Sequence, residues 1–315
     1  MPYITVALEE ALNNLIKRRQ LFLPNLSYEN DTILIFSDYG GEHQNSKFTV
    51  LSFLVCSHAS LGMFKKAQEQ LRREHKLDIP LKEFTFKDIG YGPQDRAFDG
   101  YLGNLNNLVC GMLISVVIDR TISLWGSDKS KNQIELVKIL ADYGMGEWKP
   151  HVAEKLVTIT HLVSYIIALL AKDGQKVLWQ SDDDAIMANV EKMKNTGRLF
   201  ASVLSNYSKK KLSKLGYGKS WGKDSPLFLD LLSAPDLAAG CIEHYLTKNA
   251  NSNIHTIKEK ADMFLAWYAY QGIMLKKYAF IFNGPQNNVT SGILQIRAKK
   301  PPMNTRFLDV PYAPQ

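Results

Sequence analysis

The sequence predicts an α/β fold, a sheet flanked by helices, and three observations carry that prediction. Short runs rich in β-branched and aromatic residues recur along the chain, at 32–37, 48–55, 109–119 and 176–181. Between them lie stretches with apolar residues three and four apart, the spacing of an amphipathic helix. Two of the strand-like runs, TILIFS and KVLWQS, stop abruptly at acids, Asp38 and Asp182. Strand ends are where a rigid scaffold opens to solvent, and ligands of open α/β sheets bind there.

Taken in order, Val6 to Phe22 has helical periodicity, with Leu8, Leu12, Leu15 and Ile16 on one side. Thr32 to Val55 reads as strand, tight turn through Gly40-Gly41, and strand, an antiparallel hairpin. Ser57 to Lys76 is an amphipathic helix. Leu81 to Asp88, LKEFTFKD, alternates apolar and charged residues like a short strand. Asp95 to Leu108 is a helix, and Val109 to Asp119 a buried strand that also ends in an acid. Helices follow at 132–143 and 149–171, the second with a core stripe of Leu156, Ile159, Val163, Ile166 and Leu170. Lys176 to Ser181 is a strand, Ala185 to Tyr207 a helix, and Ser208 to Lys223 a lysine-rich strand or loop. Ser233 and Pro235 are helix-start residues, so a helix is predicted over 234–246. The chain closes with an aromatic helix at 257–270, a β-hairpin over 275–298 and an extended tail.

Composition narrows the class. Hydrophobic residues make up 45%, enough for a sizeable core. Lysine and arginine number 38 against 31 acids, a formal charge of +7 that favours acidic partners such as nucleic acid. The three cysteines, Cys56, Cys110 and Cys241, are scattered in apolar segments, which argues for reduced core residues of a cytoplasmic protein rather than disulfides or zinc. No signal-peptide pattern is present, and 156–171 is too short and polar to predict a membrane span.

The chemistry concentrates in carboxylates. If the strands ending in Asp38 and Asp182 are adjacent and parallel, their acids share one sheet edge. Asp236 enters in the first turn of a helix whose Ala238, Ala239 and Gly240 are small enough to let it lie close on the sheet. Carboxylates gathered that closely repel one another unless a divalent cation sits among them. Oxygen-only ligation suits Mg²⁺ or Mn²⁺. The plainer alternatives are that Asp38 starts a turn, that one of Asp182, Asp183 and Asp184 caps the next helix, and that Asp236 pairs with a helix dipole. Glu243 lies on the face of Asp236 but about 10 Å further along the axis.

These residues resemble the family catalogued as domain of unknown function 3800, which has an RNase H-like fold. LIFSDYGG followed by FTVLSFLV is similar to its first hairpin, EFTFKD (Glu83, Lys87) to a Glu- and Lys-bearing segment, SVVID to its third strand, and APDLAAG, 234–240, to its late helix. The resemblance covers about 31–246. It implies an RNase H-like mixed sheet with a helical insertion near 126–172, preceded by a helix and loop over 1–30. A C-terminal helix and hairpin extension over 251–315 would follow the main domain of 31–250. It implies metal ligands at Asp38, Asp182 and Asp236, with Asp183 as a further candidate, and Lys87 near a phosphate. The family's second acid after the first strand is Tyr39 here, and Glu42 is the candidate substitute. The third strand would run antiparallel to the first, sending Asp119 to the opposite edge.

Between 208 and 223 there are six lysines and no acid. Lys209, Lys210, Lys211, Lys214 and Lys219, with Tyr217 and Trp221 interleaved, form the pattern of a single-stranded nucleic-acid groove, or of a lysine-protected edge strand. In an RNase H-like layout this strip would flank the site. The leading expectation is a metal-dependent nuclease or phosphodiesterase acting on nucleic acid. The alternative is an inactive scaffold that binds nucleic acid, a protein partner or a second copy of itself within a larger assembly such as a prokaryotic defence system. For that role the 132–171 insert and the aromatic helix would offer surplus surface.

Overall fold

The structure, a computed structural model, describes residues 3–26, 32–78, 81–126, 128–219, 225–250, 259–284 and 290–297. The first helix, α1 (Tyr3–Lys17), precedes an antiparallel hairpin of β1 (Thr32–Gly40) and β2 (Phe48–Ser57). A 3-10 turn leads into α2 (Gly62–His75), followed by α3 (Gly92–Leu108), β3 (Gly111–Asp119), α4 (Lys129–Asp142), α5 (Pro150–Leu170) and β4 (Lys176–Ser181). Then come α6 (Val190–Tyr207), β5 (Lys214–Lys219), α7 (Pro226–Ala250), α8 (Glu259–Ala269), β6 (Leu275–Asn283) and β7 (Thr290–Ile293).

The seven strands form one mixed sheet in the order β5-β4-β1-β2-β3-β6-β7. β4 lies parallel to β1 and β5 to β4, while β2 is antiparallel to both its neighbours. This is an α/β mixed sheet flanked by helices, as the sequence predicts. Both faces are covered, so β2 and β3 read as nearly unbroken apolar runs. Along β1 the pleat alternates. Ile33, Ile35 and Tyr39 pack with α1, α4, α5 and α6, whereas Leu34 and Phe36 pack with α2, α3, α7 and α8.

Four expectations are corrected. β3 is antiparallel to β2 and therefore parallel to β1, so Asp119 ends at the same sheet edge as Asp38, opposite Phe48. Asp119 is nonetheless structural: its Oδ1 accepts from the Thr121 N–H and Oγ1 at 2.9 and 2.7 Å. Residues 81–88 are not a strand. Leu81 makes an isolated bridge to Asp78, and the apolar alternation comes from two anchors. Phe84 stacks on Tyr101 with centroids 4.3 Å apart, and Phe86 lies over Gly240.

α7 is a single helix of 25 residues with Pro235 inside it. Pro235 has no N–H to donate to the preceding turn. The helix continues because Leu231, Ala234, Leu237, Ala238, Cys241 and Ile242 are all buried against the sheet, and packing outweighs propensity. Asp236 is consequently mid-helix, out of reach of the N-terminal dipole. The aromatics expected to give the last helix contact surface are covered instead, since Trp267 and Tyr268 are core residues.

α5 is long and apolar enough to cross a membrane, but 78% of its apolar window is buried inside the fold, where it serves as a core helix. All three cysteines are buried, and none is in a disulfide.

Candidate functional site

Period-two alternation sends Asp38 to the face of Leu34 and Phe36, toward α7. It lies inside β1, opposite Ser52, and not in the turn. Asp182 follows β4 directly, and its N–H donates to the Ser37 carbonyl at 3.1 Å, which continues the parallel ladder by one residue. α7 brings Asp236 to the same place because it lies unusually close to β1. A Cβ on Gly40 would stand 3.0 Å from the Ala239 carbonyl oxygen. The small residues of APDLAAG perform the role expected of them.

Asp38, Asp182 and Asp236 line one cavity of about 250 Å³, together with Glu83, Thr85, Lys87, Asp88 and Ser233. Among its described lining residues there are five carboxyl groups and one lysine. The electrostatics follow from that imbalance. Burial, then repulsion from Asp236 and Asp182, holds the Asp38 carboxyl well above the ordinary carboxylate range. Burial pushes Asp236 up to about 6, opposed by the N–H of Phe86, which donates to its Oδ2 at 2.9 Å. The two carboxyls act on each other: Asp236 raises Asp38, and Asp38 partly offsets the upward shift of Asp236. Glu83 is raised as well, by burial and then by Asp182.

The segment 81–88 reaches this cavity because a buried arginine holds it. Arg72 pairs with Asp230 through Nε–Oδ2 at 3.0 Å and Nη2–Oδ1 at 2.5 Å. Its Nη1 donates to the carbonyls of Leu77 (3.2 Å) and Lys82 (2.9 Å). A second anchor is the contact of Phe86 with α7. A Cβ at position 240 would meet Phe86 Cγ at 2.3 Å. Gly240→Ala is therefore expected to displace this segment and cost about 1–3 kcal/mol by overpacking. A thermal melt measures it, and an unchanged melting temperature would contradict the packing.

Other predicted site residues lie elsewhere. Tyr39 points to the opposite face, where its buried hydroxyl contacts Ser37 Oγ at 2.7 Å and Ser181 Oγ at 3.1 Å. An acid at position 39 would face away from Asp38, so Tyr39 removes nothing from this cavity. Glu42 is also on that opposite face and pairs with Lys155, which pairs in turn with Asp184. Asp183 is exposed and pairs with Lys219 at 3.2 Å. Of the triplet, Asp182 alone lines the cavity. None of the three caps the following helix, since Asn189 does so by accepting from the Lys192 N–H. Glu243 is buried beside Ser46 and Thr247.

The lysine strip divides. β5 parallels β4, so Lys219 stands at the carboxylate edge and Lys214 about 17 Å away at the other end. Lys209, Lys210 and Lys211 are at that far end too. Lys210 Nζ donates to the Ala168 carbonyl, and the Lys211 N–H to Asp173. Tyr217 packs its ring on Gly197 of α6. Trp221 lies outside the described residues.

Sequence reasoning assigned no functional role to Thr85, read Ser233 only as a helix-start residue, and named Glu83 only within a resemblance. The signal available was the spacing Glu83-x-Thr85-x-Lys87, which places three polar side chains two apart. Among the described residues, no three His, Cys, Asp or Glu side chains stand in a preformed metal-ligand arrangement. The donor set fits a hard divalent cation in its chemistry, being oxygen-only, clustered and short of positive charge.

No family model and no curated protein matches the sequence. Among solved structures, the chain is similar to one in the structure of the PCNA:RNase HII complex from Archaeoglobus fulgidus, at 11% identity and a TM-score of 0.36, over 71% of this chain and 80% of that one. It is likewise similar to ribonuclease H2 from Pyrococcus horikoshii OT3, at 8% identity and a TM-score of 0.34, over 75% of this chain and 86% of that one. At these scores the likeness assigns no activity.

Proposed function

We propose that this protein is a divalent-metal-dependent nuclease or phosphodiesterase. Asp38, Asp182 and Asp236 would hold Mg²⁺ or Mn²⁺, with Glu83 as a further ligand. One observation carries the reading: three carboxylates from β1, the end of β4 and the middle of α7 meet in a single cavity where their charge is left largely uncompensated. Burying like charges together costs stability and is retained where chemistry requires it. The ion, when bound, supplies Lewis acidity and a means of activating water for phosphodiester hydrolysis. The chain's own residues do the rest. The Phe86 N–H orients Asp236, the Tyr39 N–H donates to Asp38 Oδ1 at 2.6 Å, and Lys87 at the cavity wall neutralises a phosphoryl oxygen. Ion binding would favour the ionised carboxyls, against the upward shift that burial gives Asp38 and Asp236.

Nucleic acid is the proposed partner. Among the described lysines of the strip, Lys219 alone stands at the carboxylate edge, so Lys209, Lys210, Lys211 and Lys214 would contact a strand that extends past the site.

The test is cleavage of labelled single- and double-stranded DNA and RNA with Mg²⁺ or Mn²⁺, alongside calorimetric ion titration. Ion affinity is expected to rise with pH as the carboxyls ionise, with proton release visible in buffers of different ionisation enthalpy. A second reading, an inactive scaffold that binds nucleic acid, is favoured by the lack of a preformed ligand set among the described residues. Absent ion binding with salt-sensitive nucleic-acid binding retained would select it.

A further inference from the structure

Asp182 stands one residue beyond the last paired position of β4, where Ser181 faces Ser37. Its carboxyl and those of Asp38 and Asp236 repel one another, which pushes the end of β4 away from β1. Against that push the Asp182 backbone supplies one rung, its N–H to the Ser37 carbonyl. Further support lies on the opposite face of the sheet, behind the acids.

There a buried polar seam joins the ends of β1 and β4. Ser181 Oγ donates to the Tyr39 hydroxyl at 3.1 Å, that hydroxyl lies 2.7 Å from Ser37 Oγ, and Trp179 Nε1 donates to Ser37 Oγ at 2.9 Å. Lys155, from the second turn of the core helix α5, closes the seam. Its Nζ lies 4.6 Å from the centroid of the Tyr39 ring and pairs with Glu42 beyond β1 and with Asp184 beyond β4. The two pairs differ in weight. Glu42 is 60% exposed, and its pair contributes little. The Lys155 and Asp184 side chains are each 13% exposed, so their pair is poorly screened and costly to break. Asp184 in turn fixes the chain after β4. Its carbonyl accepts the Met187 N–H at 2.8 Å and its Oδ1 the Ile186 N–H at 3.4 Å.

We propose that Lys155 is a positioning residue for the carboxylate cavity: by tying Asp184 to α5 and to Glu42, it fixes the end of β4 against β1 and holds Asp182 near Asp38. Lys155 does not line that cavity, so it acts through Asp184 and the chain two residues back. The use of Asp182 as an ion ligand rests on the nuclease reading; its placement by Lys155 does not.

The test uses the neutral pair Lys155→Met/Asp184→Asn, which leaves no buried charge unpaired. Hydrogen exchange at the Asp182 amide is followed by mass spectrometry, Mn²⁺ affinity by calorimetry, and global stability by denaturant melts. The Asp182 amide is expected to exchange about tenfold faster than in the wild type, by local opening, with global stability little changed. Mn²⁺ affinity is expected to fall about tenfold or more, as when a partner that orients a metal ligand is lost. Unchanged Asp182 exchange in the double variant would overturn the proposal and leave the burial of Ile186 and Met187 as what holds the strand end. A wild type that binds no Mn²⁺ would sink the nuclease reading instead, and exchange would still decide the placement. Circular dichroism checks the fold; should the double variant not fold, Asp184→Asn alone carries the same measurements.

Discussion

Asp236→Asn is expected to abolish ion-dependent cleavage and, in the same molecule, to raise stability at neutral pH. The sign follows from linkage. The folded chain raises Asp236 from 3.8 to about 6, so it binds this proton more tightly than the unfolded chain does. Stability is then greatest below the unfolded value and falls as pH rises through about 6. That difference corresponds to roughly 2–3 kcal/mol of destabilisation at pH 7 relative to pH 3. Asparagine keeps the acceptor for the Phe86 N–H and removes the charge, so the variant should gain about 1–2 kcal/mol at pH 7 and little at pH 4. Denaturant melts at the two pH values measure this. Equal effects at both would show that Asp236 carries no buried-charge cost. Asp38→Asn should behave in the same direction, because burial and the same neighbours raise it. A stability gain coupled to loss of activity is the signature of a site held in strain for function.

Arg72→Met is expected to produce the largest loss of stability, about 3–5 kcal/mol, because it strands Asp230 as an uncompensated buried charge. Both partners are essentially inaccessible to solvent. Asp230 is already pushed up to about 6 by burial, even with the guanidinium beside it. The double variant Arg72→Met/Asp230→Leu removes both charges and should recover most of that loss. It should not recover activity. Arg72 also holds the Leu77 and Lys82 carbonyls, which hold the segment carrying Glu83 and Lys87 against the cavity. Recovery of cleavage in the double variant would show that the segment is positioned by Phe84 and Phe86 alone.

Much of this architecture is legible along the chain. The hairpin, the strand KVLWQS and the long apolar helix announce themselves through local patterns of period two and 3.6, and they stand where those patterns put them. The failures share one cause. LKEFTFKD alternates like a strand because two aromatic anchors happen to be two residues apart, and only the helices beneath it show that no strand pairs with it. Pro235 reads as a helix start because propensity is local, whereas the helix passes through it on the strength of burial against β1 and β2. The surplus surface expected of the aromatic helix disappears for the same reason, since Trp267 and Tyr268 are covered by elements distant in sequence.

The candidate site divides along the same line. The sequence by itself determined that Asp38, Asp182 and Asp236 are the acids to consider, because each sits at a strand end or beside small residues. That Tyr39, at the position of the resembling family's second acid, faces away from Asp38 followed only once both residues were placed inside β1. Only the tertiary structure decided that Asp182 and not Asp183 or Asp184 faces Asp38, that Glu42 belongs to Lys155 on the other face, and that Glu83 joins the cluster. It also separated Lys219 from the rest of its lysine strip. The physical reason is that alternation and helical spacing are properties of a few consecutive residues, whereas strand direction and the meeting of faces depend on which segments bury one another.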